Sequence, residues 1–404
     1  MVEAELFAAA LGLQQPWYVS GREFSVLNKR LDIEIDFEPG SLFPCPVCGT
    51  LSKAYDSTSK SWRHLDFFQY EANLIARVPR VACPNGCGTK RVEVPWARSG
   101  SGFTLLFESL LLAFCREIPI AKVATMVNVH DTRLWRMLHH YVDKARSKVD
   151  FSKVSRVGMD ETSSKRGHDY ITLFCDMDER KLLFATEGKD MATVAAFKRD
   201  LEAHGGCAEE ITQVSCDMSS AFISGVAKEL PKAEITFDKF HVVKLLNEGV
   251  DEVRRKEVKE NEILKGTRYL WLKNKANLTQ KQHGTFDGLS ELNLKTSRAY
   301  HLKINFQEFY NCPDRESGEA YLNRWYYWAT HSRIAPMIKV AKTIKRHWDG
   351  VLSWFDSHLT NALLEGMNSL IQAAKSRARG YRSKRNFIAM AYLIGAKLEF
   401  ELPT

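Results

Sequence analysis

Three carboxylates and four thiols are the residues whose types and spacing could do chemistry. Asp160 and Asp217 each end a short β-patterned apolar run, Val154–Met159 and Ile211–Cys216, and lie 57 residues apart. Glu365 follows 148 residues later, early in a helical pattern. In a partly parallel sheet the carboxyl ends of the strands converge where open α/β sheets bind ligands. Two strands and a helix would bring three carboxylates there, the hard oxygen ligands that divalent cations prefer. A pair of such cations about 3.5–4 Å apart activates a water or a 3′-hydroxyl and stabilises the leaving oxygen of a phosphodiester. Each acid also has a plain reading. Asp217 precedes Met218-Ser219-Ser220 and could cap the next helix, Asp160 could be an ordinary strand-end acid, and Glu365 a solvated helix residue. Their joint place in one frame of elements favours the chemical reading. Glu161 is expected on the other face of its strand, with Asp176 and Asp178 in a turn. His241, in Asp238-Lys239-Phe240-His241, reads on its surroundings alone as a core histidine; a proton carrier beside a scissile phosphate is the alternative.

The thiols form two knuckles, Cys45-x2-Cys48 and Cys83-x3-Cys87, each followed by glycine, Gly49 and Gly88. Four soft ligands on two tight turns suit one structural Zn²⁺ in a tetrahedron. His64 lies between the pairs and is expected to be a packing or surface residue rather than a replacement ligand. The other five cysteines, Cys115, Cys175, Cys207, Cys216 and Cys312, are scattered and read as small core residues.

Basic residues mark a different chemistry. From Gly366 to Arg385 the chain holds Lys375, Arg377, Arg379, Arg382, Lys384 and Arg385 and no acid, with Tyr381 among them. Cations at this density neutralise phosphates and release counterions, and an aromatic ring can stack on an exposed base. A weaker stripe runs through Lys339, Lys342, Lys345 and Arg346. Residues 119–141 read as two helices around Val127-Asn128-Val129, a helix-turn-helix whose second helix would offer Thr132, Arg133 and Arg136 to a major groove.

The elements that must position these groups follow from periodicity. Leu31–Phe37 alternates as a half-exposed strand and Asn73–Val81 is a second one. Phe103–Val149 turns helical, with two helices expected. Then come Val154–Met159, a hairpin of Tyr170–Cys175 and Lys181–Thr186, a helix near Ala192–Ala203, the strand Ile211–Cys216, a helix near Ala221–Leu230 and the strand Ala233–Phe237. The order β-β-β-α-β-α-β implies a partly parallel sheet covered by helices. Phe240–Phe355 is helical apart from a loop near Asn311-Cys312-Pro313-Asp314, and a last helix is expected to start near Thr360 or Asn361. The 404 residues carry 45% hydrophobic and 26% charged side chains and a net charge of +8, an ordinary globular composition that favours an anionic partner. The N-terminus lacks a signal-peptide pattern, and the most apolar run, Leu105–Phe114, is too short to span a bilayer and contains Glu108. An intracellular, cytoplasmic protein without membrane contact is expected. Disulfide-framework and membrane classes are excluded on these grounds.

Several motifs in fixed order resemble the DDE transposases of bacterial insertion sequences, specifically the ISL-three family. They are Cys45-Pro46-x-Cys48-Gly49, Cys83-Pro84 to Cys87-Gly88, Gly158-Met159-Asp160-Glu161, Gly167-His168-Asp169-Tyr170-Ile171-Thr172 and Val214-Ser215-Cys216-Asp217-Met218. Further along come Phe237-Asp238-Lys239-Phe240-His241, Leu264-Lys265-Gly266-Thr267-Arg268-Tyr269 and Asn361-Ala362-Leu363-Leu364-Glu365-Gly366-Met367-Asn368, then Lys375 and Arg379-Gly380-Tyr381. The resemblance covers nearly the whole chain. It implies an α/β, RNase H-like core with a mixed five-stranded sheet, interrupted by an all-helical insertion and preceded by a zinc ribbon and a helix-turn-helix. The implied divisions are 1–100, 101–150, 151–245, 246–356 and 357–404. It further implies that Asp160, Asp217 and Glu365 hold two Mg²⁺ or Mn²⁺ ions, and it alone assigns roles to Asp238, His241 and Asn368. The implied partner is double-stranded DNA, at the element's terminal inverted repeats and at a target, bound by a dimer or larger assembly. A regulator with an inactive core, or a nuclease that never joins strands, would share these motifs.

Overall fold

The alternating run anticipated at Leu31–Phe37 is the centre of the first of two contact-dense units, residues 1–145 with 399–404; the second is residues 146–398. The computed structural model describes residues 2–359 and 361–401. After helix α1 (Val2–Ala10), six strands follow: β1 (Trp17–Ser25), β2 (Arg30–Phe37), β3 (Leu42–Pro44), β4 (Leu51–Arg63), β5 (Glu71–Cys83) and β6 (Gly88–Arg91). They pair in the order β1-β2-β5-β4-β3, with β6 on β5. Only β2 and β5 run parallel. Leu31, Ile33 and Ile35 of β2 and Leu74, Ala76 and Val78 of β5 supply the buried face. Trp96 meets Trp17 and Trp62 edge-on, at 5.0 and 5.7 Å between ring centres. Strands β1, β4 and β6 carry no apolar alternation, and β4 is mostly polar.

Three helices, not two, complete this unit: α2 (Leu105–Glu117), α3 (Ile120–Met126) and α4 (Asp131–Arg146). The chain breaks at Ile118-Pro119, because proline has no N–H for an intrahelical bond. It turns again at Asn128, which takes a left-handed φ of 51°.

The second unit opens with the anticipated order. Strands β7 (Arg156–Lys165), β8 (Asp169–Asp176) and β9 (Lys181–Glu187) form an antiparallel meander. Helix α5 (Met191–Ala203), β10 (Gln213–Cys216), α6 (Ser220–Glu229) and β11 (Glu234–Phe237) then add two crossovers. The sheet runs β11-β10-β7-β8-β9, with β10 parallel to both neighbours. Phe174 of β8 stacks on Phe197 of α5 at 4.5 Å.

The helical stretch follows without a break, since α7 (Lys239–Glu257) grows directly out of β11. The expected 245/246 division therefore falls inside a continuous helix. Next come α8 (Arg268–Leu272), α9 (Gln280–Ser290), α10 (Lys295–Glu308), α11 (Arg315–His331), α12 (Ala335–Arg346), α13 (Trp348–Leu352) and α14 (Trp354–Ser357). Their core holds Trp271, Phe286, Tyr300, Phe306 and Trp325. Lys303, fully buried there, donates to the carbonyls of Trp271 and Leu272 at 3.0 and 3.2 Å. Helices α15 (Ala362–Arg377) and α16 (Lys384–Gly395) return to the sheet, where the Tyr392 hydroxyl accepts from the Ala185 N–H of β9 at 2.9 Å. Asn361 precedes α15, and Thr360, the other expected start, lies outside the described residues. Among the described residues no helix is long and apolar enough to cross a membrane.

Candidate functional site

Asp160 stands inside β7 rather than at its end. The parallel pairing of β7 with β10 covers only Arg156–Gly158, while β7 continues beside β8 as far as Lys165. The acid thus sits just past the point where the parallel pairing ends and β7 continues only in the antiparallel β7-β8-β9 meander, so its position relative to the parallel strands is still that of a carboxyl edge. Its Oδ1 accepts from the Glu161 N–H at 2.8 Å and its Oδ2 from the Asn368 side-chain amide at 2.6 Å. Asp217 follows Cys216, the last residue of β10, and its Oδ1 accepts from the Ser219 N–H at 2.9 Å. One oxygen therefore serves the turn into α6, as the plain reading allowed. Its Oδ2 makes no protein hydrogen bond among the described residues.

Helix α15 carries Glu365 in its first turn and Asn368 one turn later on the same face. Its start is pinned to the sheet from two sides. The Asn361 Oδ1 accepts from the Ser215 hydroxyl of β10 at 2.6 Å, and the Asn361 N–H donates to Asp238 Oδ1 at 3.3 Å. The Asn361 side chain is thereby spent on the sheet and does not cap α15. Gly158 lets the helix lie close, since a Cβ there would come within 2.7 Å of a Leu364 methyl and 2.4 Å of Met177 Sδ.

Asp238, only 2% exposed, has a second contact: its Oδ2 is hydrogen-bonded to His241 Nδ1 at 3.0 Å. That bond pushes the His241 imidazole upward in pKa against the opposing effect of burial. Burial lifts the Asp160 carboxyl to about 6, aided by the negative charges of Asp217 and Asp238 and opposed by the Glu161 N–H and His241. Glu365 is raised by burial and by Asp238, with His241 opposing. Asp160 and Glu365 thus share the fields of Asp238 and His241, while Asp160 also feels Asp217. Among the described residues, Asp160, Asp217 and Glu365 do not form a group whose oxygens all lie within 4.8 Å of one another. Crowded acids with an unspent oxygen donor fit a divalent cation, which would relieve their mutual repulsion. Glu161 has Lys189 at 3.8 Å, and burial raises its carboxyl.

The basic run is not one helix. Helix α15 ends at Arg377, Arg379 and Gly380 take left-handed φ values of 56° and 92°, and α16 begins at Lys384. Lys375 Nζ donates to the Ser163 carbonyl of β7 at 2.5 Å, and Lys384 pairs with Asp169 at 2.9 Å and Glu187 at 3.2 Å. Tyr381 stacks on Phe387 at 5.5 Å, so one face of its ring is covered. Arg377, Arg379, Arg382 and Arg385 are exposed. Lys375, Arg379, Tyr381 and Arg382 line a cleft of about 560 Å³ together with Lys165, the last residue of β7, and Arg166 from the turn after it. Those last two were missed, although a Lys-Arg pair before Gly167 was visible in the sequence.

In the first unit the four knuckle cysteines bring their sulfurs within 4.8 Å of one another. Cys48 and Cys83 are 3.4 Å apart, close to the roughly 3.8 Å edge of a tetrahedron with 2.3 Å Zn–S bonds. Gly49 and Gly88 both take φ of 76°, turns that a side chain would strain. Hydrogen bonds from Thr50 hold the Cys48 thiol down to about 6, while neighbouring sulfurs push Cys87 up to about 12, a conflict that a bound cation removes. His64 is not among them: its Nδ1 meets Thr104 Oγ1 at 2.8 Å, and burial drives it down to about 4. Of the other cysteines, Cys115, Cys175 and Cys216 are core residues, Cys312 is half-buried and Cys207 is exposed, which corrects the core reading for Cys207. In the helix-turn-helix, Thr132 and Arg136 are exposed on α4. Arg133 is turned inward, donating to the Gly102 carbonyl at 3.0 Å with its guanidinium 4.2 Å from the centre of the Phe103 ring.

The ISL3-type DDE domain, described as a transposase, matches residues 157–391, more than half of the chain. The chain belongs to the ISL3 family of transposases. The helix-turn-helix domain of transposase family ISL3 matches residues 92–142, and the zinc-finger of the transposases of IS204, IS1001, IS1096 and IS1165 matches residues 41–87. The transposase for insertion sequence element IS1557 of Mycobacterium tuberculosis is 29% identical over 434 aligned positions, covering 97% of this chain and 96% of that protein. The transposase for IS1001 of Bordetella parapertussis is 30% identical over 363 positions, covering 85% and 86%. This ISL3 transposase is thus a DNA-binding DDE enzyme with a zinc-finger and a helix-turn-helix ahead of its α/β catalytic domain.

Proposed function

We propose that Asp160, Asp217 and Glu365 are the catalytic carboxylates of this transposase and hold two divalent cations, Mg²⁺ or Mn²⁺. The observation that carries the reading is the bond from Asn368 to Asp160, because it ties the helix bearing Glu365 to the strand bearing Asp160 at the carboxyl edge where Asp217 emerges. When bound, such ions stabilise the attacking and leaving oxygens of a phosphodiester. The protein's own groups do the positioning. Asn368 and the Glu161 N–H fix the Asp160 carboxylate, and Asp238 holds both the start of α15 and the His241 ring. The Asp238 bond favours protonated His241, which would bring a positive charge and a proton to the scissile phosphate.

Substrate binding falls to basic groups in both units. The Lys165–Arg382 cleft and the exposed Arg377 and Arg385 suit the DNA backbone, and Thr132 and Arg136 suit base edges. The reaction proposed is cleavage at the terminal inverted repeats, followed by attack of the freed 3′-hydroxyl on target DNA. Two ends must be held together, so a dimer or larger assembly on DNA in the bacterial cytoplasm is proposed. The proposed functional divisions are the zinc ribbon (1–100), with Zn²⁺ on Cys45, Cys48, Cys83 and Cys87, the helix-turn-helix (101–150), the core (151–245 and 357–404) and the insertion (246–356). The test is nicking of an element-end duplex in Mg²⁺: wild type cleaves and Asp217→Asn does not while still binding. Equal cleavage by both proteins overturns the assignment.

A further inference from the structure

We propose that the groove between α7 and α8, inside the helical insertion, is a second contact site for the DNA sugar–phosphate backbone. The proposal rests on the chain binding DNA and adds a site on a part of the molecule with no assigned ligand. Lys244, Asn247, Asp251, Arg254 and Arg255 recur at helical spacing on one face of α7, and Arg268 closes the groove from α8; the space between them is about 490 Å³.

One carboxylate organises this wall. Asp251 is 8% exposed and holds three guanidiniums. Arg254 is a brace: its side chain is 11% exposed and meets Asp251 Oδ1 at 2.8 Å. Arg255 and Arg268 both hang on Asp251 Oδ2 by their Nε atoms, at 3.5 and 3.4 Å, with side chains 65% and 55% exposed. Their terminal nitrogens have no protein acceptor among the described residues. A packing brace would need one arginine. Three on one carboxylate leave two positive charges uncompensated side by side, and Lys244 and Glu248 on the same wall cancel each other. An anion offsets that repulsion, and planar guanidinium forks match phosphate oxygens in pairs.

A further feature indicates a nucleotide chain rather than a free ion. Tyr269, next to Arg268, is 63% exposed, with the Arg268 guanidinium 5.8 Å from its ring centre, so a base can stack there. The Lys-Gly-Thr-Arg-Tyr motif at 265–269 thereby acquires a purpose.

The test measures the salt dependence of full-length protein binding to a random-sequence duplex. Each phosphate contact contributes about 0.9 to the slope of log K against log salt. Arg255→Ala/Arg268→Ala should lower the slope magnitude by about 2 by that rule, with a deficit in affinity that shrinks as salt rises. Arg255→Lys/Arg268→Lys, which retains the Asp251 pairs, should restore the slope but not the full affinity. Lys153→Ala/Lys281→Ala removes the same charge from exposed positions outside the groove and serves as the control. An unchanged slope in the alanine variant overturns the site, and so does an equal fall in the control, which reduces the effect to net charge. Absence of DNA binding by wild type overturns the DNA-binding reading itself, and this site with it.

Discussion

Asp160 is held in a place that disfavours its charge. Its carboxyl is raised to about 6 from an ordinary value of 3.8, so between those pH values the folded protein binds more protons than the unfolded chain. Stability contributed by this group is therefore present at low pH and lost as pH rises through the folded value. In EDTA, wild type should lose on the order of 2–3 kcal/mol relative to Asp160→Asn between pH 4 and pH 7. Urea midpoints of the two proteins across that range measure the difference; parallel curves would show that Asp160 carries no such burden. His241 shows the same sign for a different reason, because its protonated form is the one held by Asp238. Its elevated pKa makes the Asp238 contact stabilising below the ordinary histidine value and lost above the folded one. Asp238→Asn keeps the acceptor for the Asn361 N–H but removes the charge, so the His241 titration followed by NMR should move downward, and kcat should fall while DNA affinity holds. An unmoved titration would remove Asp238 from the positioning role.

At the scale of elements, the approach of α15 to β7 decides where Glu365 lies. Gly158→Val would place its side chain against Leu364 and Met177 and lift the helix. The expected cost is about 1–3 kcal/mol of stability, together with a loss of cleavage larger than the unfolded fraction accounts for. Comparing cleavage at 25 °C with the thermal midpoints of the two proteins checks this. Most of this architecture was legible beforehand. The β-β-β-α-β-α-β order appeared in sequence because parallel strands buried by helices are short apolar runs with polar ends. The three acids proposed as catalytic stood out because a core avoids carboxylates, and the knuckle cysteines because they come in close pairs, each followed by a glycine. What escaped depends on partners distant in sequence. β4 is polar and exists because β5 pairs with it. The link between Asp238 and Asn361 spans 123 residues, and the inward turn of Arg133 needs Gly102 and Phe103. The break in the basic run rests on two left-handed residues, only one of them a glycine.

At the scale of the whole molecule, each unit has its own core and, on the function proposed above, its own metal to test. The first unit closes β3, β4, β5 and β6 around four sulfurs. Stripping zinc with a strong chelator, or Cys48→Ser, should therefore expose amides around 45–50 and 83–88 to hydrogen exchange and leave β7–β11 protected. Protection unchanged around the knuckles would show that the thiols carry no structural ion. DNA affinity should fall with that loss while the catalytic unit stays folded.

The most direct measurement brings both metal chemistries and both units onto one substrate. Purified protein is incubated with labelled duplexes carrying the element's own ends, in Mg²⁺ or in EDTA, with wild type beside Glu365→Gln. The account predicts nicks at the ends and joined products in Mg²⁺ only, both absent in the variant, which still binds. Binding without cleavage in any divalent ion, or cleavage that survives Glu365→Gln, would contradict it.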